Sequence, residues 1–301
     1  MQAIDQHLKT FFASPQPDVR RIFHGRGQCF PGLEHLCLDW FAPVVLISAY
    51  EPVSDPAALV DVICSADQHG QVATILLQKR FETGSPTEAL FGSAPRKVVV
   101  TEGDLRFEVQ PGQRRNSGLF LDMSVLRERV RQEAKECNVL NLFAYTCAFS
   151  VAALAGGAQS VTNVDMSKNS LAWGARNHEL NGQDAALVKY IPHNLFRSWG
   201  RIKQFGRYDL VIIDPPTRQR GSFDVEKNYG SVLKRLPGLC NPNAKVIATL
   251  NSPFQPVDYL LELFARRVPG AELIEQLSAA PEFVDKHPER ALKICEFAMP
   301  A

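Results

Sequence analysis

Val139-Leu-Asn-Leu-Phe-Ala-Tyr-Thr-Cys-Ala-Phe-Ser-Val-Ala-Ala-Leu-Ala-Gly-Gly-Ala-Gln-Ser-Val-Thr-Asn-Val-Asp165 decides the fold. It reads as a strand (Val139–Phe143), a tight loop, a helix (Phe149–Leu154), a Gly156-Gly157 turn, a second strand (Ser160–Val164) and then an acid. Short apolar runs broken by turn residues and a helical segment make a βαβ unit. A parallel sheet binds ligands outside the carboxyl ends of its strands, and an acid about 20 residues past the first loop can accept ribose hydroxyls. Asp165 stands at that place. The plain alternative is an ordinary βαβ unit with a chance acid after its second strand.

Two further observations narrow the ligand. The phosphate fingerprint G-x-G-x-x-G is absent, and the loop Phe143–Ala148 holds no glycine, so a pyrophosphate would find little close backbone approach. A nucleoside cofactor without phosphates fits better, and S-adenosylmethionine (SAM) is the common one. Downstream, the apolar run Tyr208–Ile213 ends in Asp214-Pro215-Pro216-Thr217. Proline fixes φ, lacks an N–H and pushes its predecessor out of the helical region. The chain therefore leaves the strand extended, presenting a carboxylate and carbonyls suited to a flat nitrogen-containing ring. Alone, such a turn is often only a strand stop; the Asp165 motif upstream gives it weight.

Outward from these motifs the organisation is legible. Residues 1–115 are expected to form an N-terminal extension and a small α+β domain. Its pattern is an amphipathic stretch at Ile4–Phe12, the glycine-rich His24-Gly-Arg-Gly27, a strand Trp40–Tyr50, a helix Pro56–Ser65, a strand Val72–Arg80, and a hairpin of Lys97–Thr101 with Leu105–Val109. Glu82–Pro95 is expected to be a mobile loop. Over residues 116–301 strands alternate with helices, as a parallel sheet requires. Helices are expected at Val125–Lys135, Lys168–Leu180 (capped by Ser167, closed by Asn181-Gly182), Phe196–Gln204, Val225–Leu236 and Pro256–Arg267, with strands at Leu187–Ile191, Lys245–Leu250, Glu272–Ser278 and Leu292–Ala298.

Bulk properties set limits. With 45% hydrophobic and 22% charged residues the 301-residue chain is an ordinary globular sequence, long enough for one large or two smaller domains. No apolar run approaches the length needed to span a bilayer, and the first residues lack a signal-peptide pattern, so a cytoplasmic location and no membrane partner are expected. Seven scattered cysteines, with no C-x-x-C pair, indicate neither a disulfide framework nor a zinc site. The net charge of +1 argues against a strongly basic nucleic-acid binder, but basic residues cluster at Arg20-Arg21, Arg114-Arg115, Arg127 to Arg131, Arg218 with Arg220, and Lys286–Arg290. Any single pair is more simply a solvated surface charge. Arg218 and Arg220, directly after the Asp-Pro-Pro-Thr turn, are the better candidates to hold a substrate phosphate.

At Gly118-Leu-Phe-Leu-Asp122, Leu140–Thr146, Val164–Lys168 with Leu171-Ala-Trp173, Asp209–Thr217 and Phe223-Asp-Val225, the chain resembles bacterial ribosomal-RNA methyltransferases of the cytosine-C5 and guanine-N7 group. The likeness is strongest to the guanine-N7 half of the bifunctional large-subunit rRNA methyltransferase, and extends over roughly residues 20–300. The resemblance implies an α/β protein with the class I SAM-methyltransferase fold: a doubly wound, mostly parallel seven-stranded sheet closed by an antiparallel pair, with the small N-terminal α+β domain in front. It implies SAM as cofactor and RNA as partner, ribosomal RNA or a ribosomal assembly intermediate.

It also implies residue roles. Asp165 would take both ribose hydroxyls, since a carboxylate accepts two hydrogen bonds at once. Asn141, Phe143, Tyr145 and Thr146 would line the methionine side, partly through backbone, Asp122 would follow a segment folding across the cofactor, and Met166 would pack on adenine, unless it is plain core. Asn194 stands where an acid commonly meets the adenine amine, and its carbonyl can still accept that bond. Asp214, Pro215, Thr217 and Asn251 would face the target base. Three departures weaken the correspondence: Cys147 replaces a glycine beside the methionine path, Met123-Ser124 replaces a pair ending in arginine (whose task Arg127 could assume), and Arg218 replaces a phenylalanine.

Chemistry separates the target atoms. Cytosine-C5 transfer needs a thiolate that adds to the ring; the C5 relatives carry it after the fifth strand, where this chain reads Leu250-Asn-Ser-Pro253. Guanine N7 has an in-plane lone pair and needs only alignment with the methyl group. Asp214 could then accept guanine N1–H or the exocyclic amine, and Asn251 could bond a base edge. N7 is placed first on resemblance alone. An exocyclic guanine amine is the near rival, and a degenerate methyltransferase fold that serves as an RNA-binding or ribosome-assembly protein is the rival of another class.

Overall fold

The computed structural model describes residues 1–219 and 222–301. The chain divides into two compact units, Met1–Ser124 with Ala280–His287, and Val125–Ala279 with Pro288–Ala301. The sequence pattern places the boundary at 115/116. Nothing in the local pattern returns 280–287 to the first unit, because that return is made by long-range bonds such as the Lys286 N–H to the Gly27 carbonyl (2.7 Å).

The first unit opens with α1 (Gln2–Phe11), then β1 (Arg20–His24), β2 (Leu36–Phe41), β3 (Val44–Ala49), α2 (Pro56–Ala66), β4 (Thr74–Lys79) and β5 (Thr87–Phe91), followed by the hairpin β6 (Val98–Glu102) and β7 (Leu105–Val109). Strands β1 to β5 lie in that order in one sheet, and only β3 and β4 are parallel. Helix α2 connects those two, with Asp55 accepting from the Ala58 N–H as its cap. Ile4, Leu8, Phe12, Phe23, Trp40 and Leu59 fill the core between helices and sheet.

Two expectations are corrected here. Trp40–Tyr50 is not one strand: the chain reverses at Ala42-Pro43, and β2 pairs with β3 from Leu36↔Ala49 to Phe41↔Val44. Both strands are buried throughout, so no polar residue punctuates the reversal. The expected loop at Glu82–Pro95 contains β5, an edge strand on β4 whose exposed residues lack an apolar alternation.

The second unit runs α3 (Ser124–Glu133), β8 (Asn138–Leu142), α4 (Ala148–Ala155), β9 (Ser160–Val164), α5 (Lys168–Leu180), β10 (Val188–Ile191), α6 (Trp199–Gln204), β11 (Tyr208–Ile213), the two-residue strands β12 (Arg218–Gln219) and β13 (Phe223–Asp224), α7 (Val225–Leu233), β14 (Cys240–Leu250), α8 (Val257–Arg267), β15 (Glu272–Leu277) and β16 (Lys293–Ala298). Its seven-stranded sheet has the order β10-β9-β8-β11-β14-β16-β15, with β10 through β14 parallel. β16 runs antiparallel to both β14 and β15, so the closing hairpin inserts its last strand inside its first.

Strand β11 ends in the continuous apolar run Leu210–Ile213, and β8 is buried from Val139 to Leu142, as strands covered by helices on both faces must be. Helix α4 is apolar all round and buried against β8 and β9. Ser167 caps α5 by accepting from the Ser170 N–H. Opposite, Phe264 of α8 stacks on Phe297 of β16 at 3.6 Å, and the buried Tyr229 hydroxyl donates to the Thr249 carbonyl at 2.9 Å. The strand order reverses between β8 and β11, so the connections leave their carboxyl ends in opposite directions and open a crevice there. Among the described residues no helix is long and apolar enough to cross a membrane.

Candidate active site

The loop between β8 and α4 is the first component. Phe143, Tyr145 and Cys147 adopt left-handed φ of 60°, 46° and 61°, although none is glycine. Such strain persists where the surroundings over-determine it, and it gathers at functional sites. The surroundings here are specific. The Ala144 N–H donates to the Val164 carbonyl at 3.0 Å, and the Tyr145 N–H donates to Oδ2 of Asp165 at 2.9 Å. The Ser167 N–H donates to the other oxygen, Oδ1, at 2.7 Å. The carboxylate thus spends two of its roughly four acceptor positions on fixing its own orientation. Burial raises the Asp165 pKa, and the Ser167 and Tyr145 N–H groups oppose that shift.

Beyond β9 a shallow cleft opens at the carboxyl end of the sheet. It is lined by Asp165 and Met166 from the end of β9, His193 and Asn194 from the end of β10, and the rings of Phe143, Phe196 and Phe223. Phe143 meets Phe223 edge-on at 4.9 Å, while Phe196 lies nearly parallel to Phe223 at 6.4 Å. Met166 is 45% exposed, which removes the plain core explanation for it. The Asn194 side-chain oxygen accepts from the Phe196 N–H at 2.9 Å, leaving one lone pair for a ligand.

Two strands away, about 10 Å at ordinary strand spacing, β11 and β14 carry the second component. Asp214 Oδ1 accepts from the Thr249 hydroxyl at 2.5 Å, and the Thr217 hydroxyl donates to the Asn251 carbonyl. Pro215 is buried and Pro216 exposed, so the turn is anchored at its first proline. The Asn251 loop is held from below by buried Lys293 of β16, whose ammonium donates to the Ser252 carbonyl at 2.6 Å.

Other anticipated positions lie elsewhere. Asn141 is fully buried within β8, and its amide donates to Asn163 Oδ1 at 2.9 Å, on the α4 side of the sheet rather than on the cleft. Thr146 is buried, its carbonyl accepting from the Asn177 amide at 2.9 Å. Arg127 is buried on α3, so a phosphate cannot reach it. Cys147 is fully buried and turned toward Gly174 of α5, not into open space. Arg218 is exposed on β12, 3.9 Å from Asp224; Arg220 lies outside the described residues. Asp122 belongs to the first unit, in a turn at Leu121–Met123, within electrostatic reach of Arg21.

The sequence reading gave no site role to Phe196, Phe223, His193 or Lys293. Phe223 lay in a quoted motif without a role, and a lysine within the apolar Leu292–Phe297 strand was the available signal for Lys293. The four cysteines of this unit offer no ready nucleophile. Burial raises the Cys147 thiol well above its usual range, Cys240 to about 12 and Cys295 to about 11, and Cys137 is raised too.

Residues 20–298 match the S-adenosylmethionine-dependent methyltransferase family. The chain is 33% identical over 231 residues to "Ribosomal RNA large subunit methyltransferase K/L" of Shewanella loihica, covering 72% of this chain and 32% of that protein. The namesake of Shewanella frigidimarina is 38% identical over 160 residues, 52% of this chain and 22% of that protein. The chain thus spans less than a third of the length of these curated relatives. A crystal structure of a proposed methyltransferase complexed with SAH, what remains of SAM after methyl transfer, superposes with a TM-score of 0.84 at 25% identity, covering 99% of this chain and 80% of that one. A seven-stranded sheet wound in both directions, a crevice at its carboxyl ends and a match over nearly the whole chain agree: the protein belongs to the S-adenosylmethionine-dependent methyltransferase family, with the class I fold.

Proposed function

We propose that this chain methylates a guanine of RNA at N7, with ribosomal RNA or an assembling ribosomal particle in the cytoplasm as its substrate. The observation that carries the reading is the pairing of a cleft lined by Asp165, Asn194 and aromatic rings at the ends of β8 to β10 with a hydrogen-bonded Asp214, Thr217 and Asn251 cluster at the ends of β11 and β14. The names of the relatives support RNA as the substrate.

The cleft fits SAM by its chemistry. Asp165 is already oriented and retains acceptor capacity for ribose hydroxyls, aromatic and thioether side chains offer flat apolar walls for adenine, and Asn194 keeps a lone pair for the adenine amine. Tyr145 and Phe143 would bound the methionine portion. When bound, SAM supplies a methyl group on a sulfonium. The chain's own contribution is alignment, worth several orders of magnitude without any proton transfer at N7. Asp214, oriented by the Thr249 hydroxyl, would accept from guanine N1–H or its amine, with Pro215 stiffening the approach. Thr217 ties the β11 turn to Asn251, whose side chain is free to meet a base edge. The lack of a cysteine in residues 251–256, the loop after β14, supports N7 over C5.

The test is transfer of labelled methyl from SAM to RNA of cells lacking the protein, followed by nucleoside chromatography. Label is expected in 7-methylguanosine; label in another nucleoside would refute N7, and no label in free RNA or ribosomal precursors would favour an RNA-binding role for the fold. Asp165→Ala is expected to abolish SAM binding in calorimetry, whereas Asp214→Ala spares binding and lowers transfer at least about 100-fold. Equal SAM affinity in wild type and Asp165→Ala would sink the assignment of Asp165.

A further inference from the structure

In the first unit, two features of the sequence outside the methyl-transfer cleft meet: the His24-Gly-Arg-Gly27 turn and the Arg114-Arg115 pair. Both glycines of the turn are obligatory. A Cβ on Gly25 would sit 1.9 Å from the Leu33 carbonyl oxygen, and one on Gly27 would sit 1.9 Å from that of Val284. The backbone is thereby wedged on both sides, and exposed Arg26 is presented from a turn that cannot shift. Its guanidinium lies over the Tyr50 ring at 4.2 Å.

Tyr50 and Arg80 follow the adjacent parallel strands β3 and β4, and the Arg80 N–H donates to the Ala49 carbonyl at 2.7 Å. The Arg80 guanidinium approaches the same ring at 6.0 Å, and its Nε is buried with no hydrogen-bond partner. Buried Gln78 of β4 donates to the Arg114 carbonyl at 3.0 Å, tying the third basic segment to this strand. Burial lowers the Arg80 pKa; Tyr50 and, more weakly, Asp39 oppose this, and the like charge of Arg115 adds to it. None of Arg26, Arg80, Arg114 or Arg115 makes an ion pair among the described residues, while neighbouring Asp39 is engaged by Arg21 at 2.5 Å.

Cations gathered by packing without an ion-pair partner, one with an orphaned N–H, are arranged for an anion. A planar guanidinium presents paired N–H groups that match a phosphate. Because Arg26 covers the Tyr50 face, the ring is not open to stack on a base, and the site would hold a backbone without reading sequence.

We propose that Arg26 and Arg80, held against Tyr50, together with Arg115 of the segment tied to β4, bind the phosphodiester backbone of the RNA substrate. This rests on RNA being the substrate. The experiment measures anisotropy of a fluorescein-labelled RNA stem-loop with the full chain over a range of salt, with SAM binding followed in parallel by calorimetry. Arg26→Gln/Arg80→Gln/Arg115→Gln is expected to weaken RNA binding about tenfold or more and to lower the salt slope by about one per arginine, leaving SAM affinity unchanged. If half-buried Arg80 proves necessary for folding, Arg26→Gln/Arg115→Gln alters exposed residues only and should lower the slope by about two. The corresponding lysine variants should retain most of it. Unchanged affinity and slope in the glutamine variants would overturn the site while leaving the methyltransferase reading intact. SAM binding without any RNA binding by wild type would instead fail the RNA reading and this inference with it. Competition by polyglutamate as effective as by RNA would reassign the cluster to acidic protein partners.

Discussion

Asp165 sits under opposing influences: burial disfavours its charge, and two backbone N–H groups favour it. Burial dominates, so the carboxylate loses its charge in milder acid than the ordinary aspartate value of 3.8. In the proposed role the charged form accepts two ribose hydroxyls, so SAM affinity should fall on acidification with a midpoint above that value. Asp165→Asn should bind more weakly and with no such dependence. Calorimetry between about pH 4 and 7 checks this; a midpoint at or below the ordinary value would show that burial does not govern this carboxylate. The acid, its spacing from the loop and the Asp-Pro-Pro-Thr turn were readable as residues. The left-handed Phe143, Tyr145 and Cys147 were not, because the usual mark of that conformation, glycine, is missing and the conformation is imposed by hydrogen bonds from β9.

At the scale of elements, α4 and α5 approach closely because Gly174 has no side chain. A Cβ there would lie 2.3 Å from Cys147 Sγ and 2.7 Å from its Cβ. Gly174→Ala should therefore cost about 1–3 kcal/mol as the two segments are forced apart. Cys147→Gly removes both clashing atoms and relieves the left-handed φ of 61°, so the double variant should recover most of the loss. Chemical denaturation of the two single variants and the pair measures the coupling, and strict additivity would refute the contact as its cause. Beneath this pair a one-way chain of hydrogen bonds runs Asn141 to Asn163 to Ser150 to His178 to Gln183, in which Ser150 and the His178 tautomer take the roles their partners dictate. It explains why Asn141, a polar residue in a buried strand, meets its neighbour strand instead of the cleft. Alternation along one strand shows that a residue is buried, not which partner it finds.

Over the whole molecule, half-buried His24 in the first unit and buried His178 in the second both make stability sensitive to acid. Burial, with Arg21 and Arg26 adding to it, pushes His24 down to about 4; burial pushes His178 down to about 4 against the opposing Gln183 bond. Between 6.5 and about 4 the unfolded chain binds protons at both sites and the folded chain does not. Stability is thus fully present above 6.5 and declines as pH falls through that window, by a few kcal/mol between the two sites. Melting temperature should drop between about pH 7 and 4.5, and His24→Gln/His178→Gln should flatten the decline; an equal decline in that variant would assign it to other groups. The sequence by itself determined the alternating α/β order of the second unit, the position of Asp165 and Asp214 at strand ends, and the absence of a thiol after the fifth strand, because these depend on local periodicity and residue chemistry. Only the tertiary structure decided the β2–β3 reversal, the return of 280–287 to the first unit, the aromatic walls of Phe196 and Phe223, and the burial of Arg127, Asn141 and Cys147. Each of those depends on which distant segment packs against a residue, and that information is carried by no window of neighbouring residues.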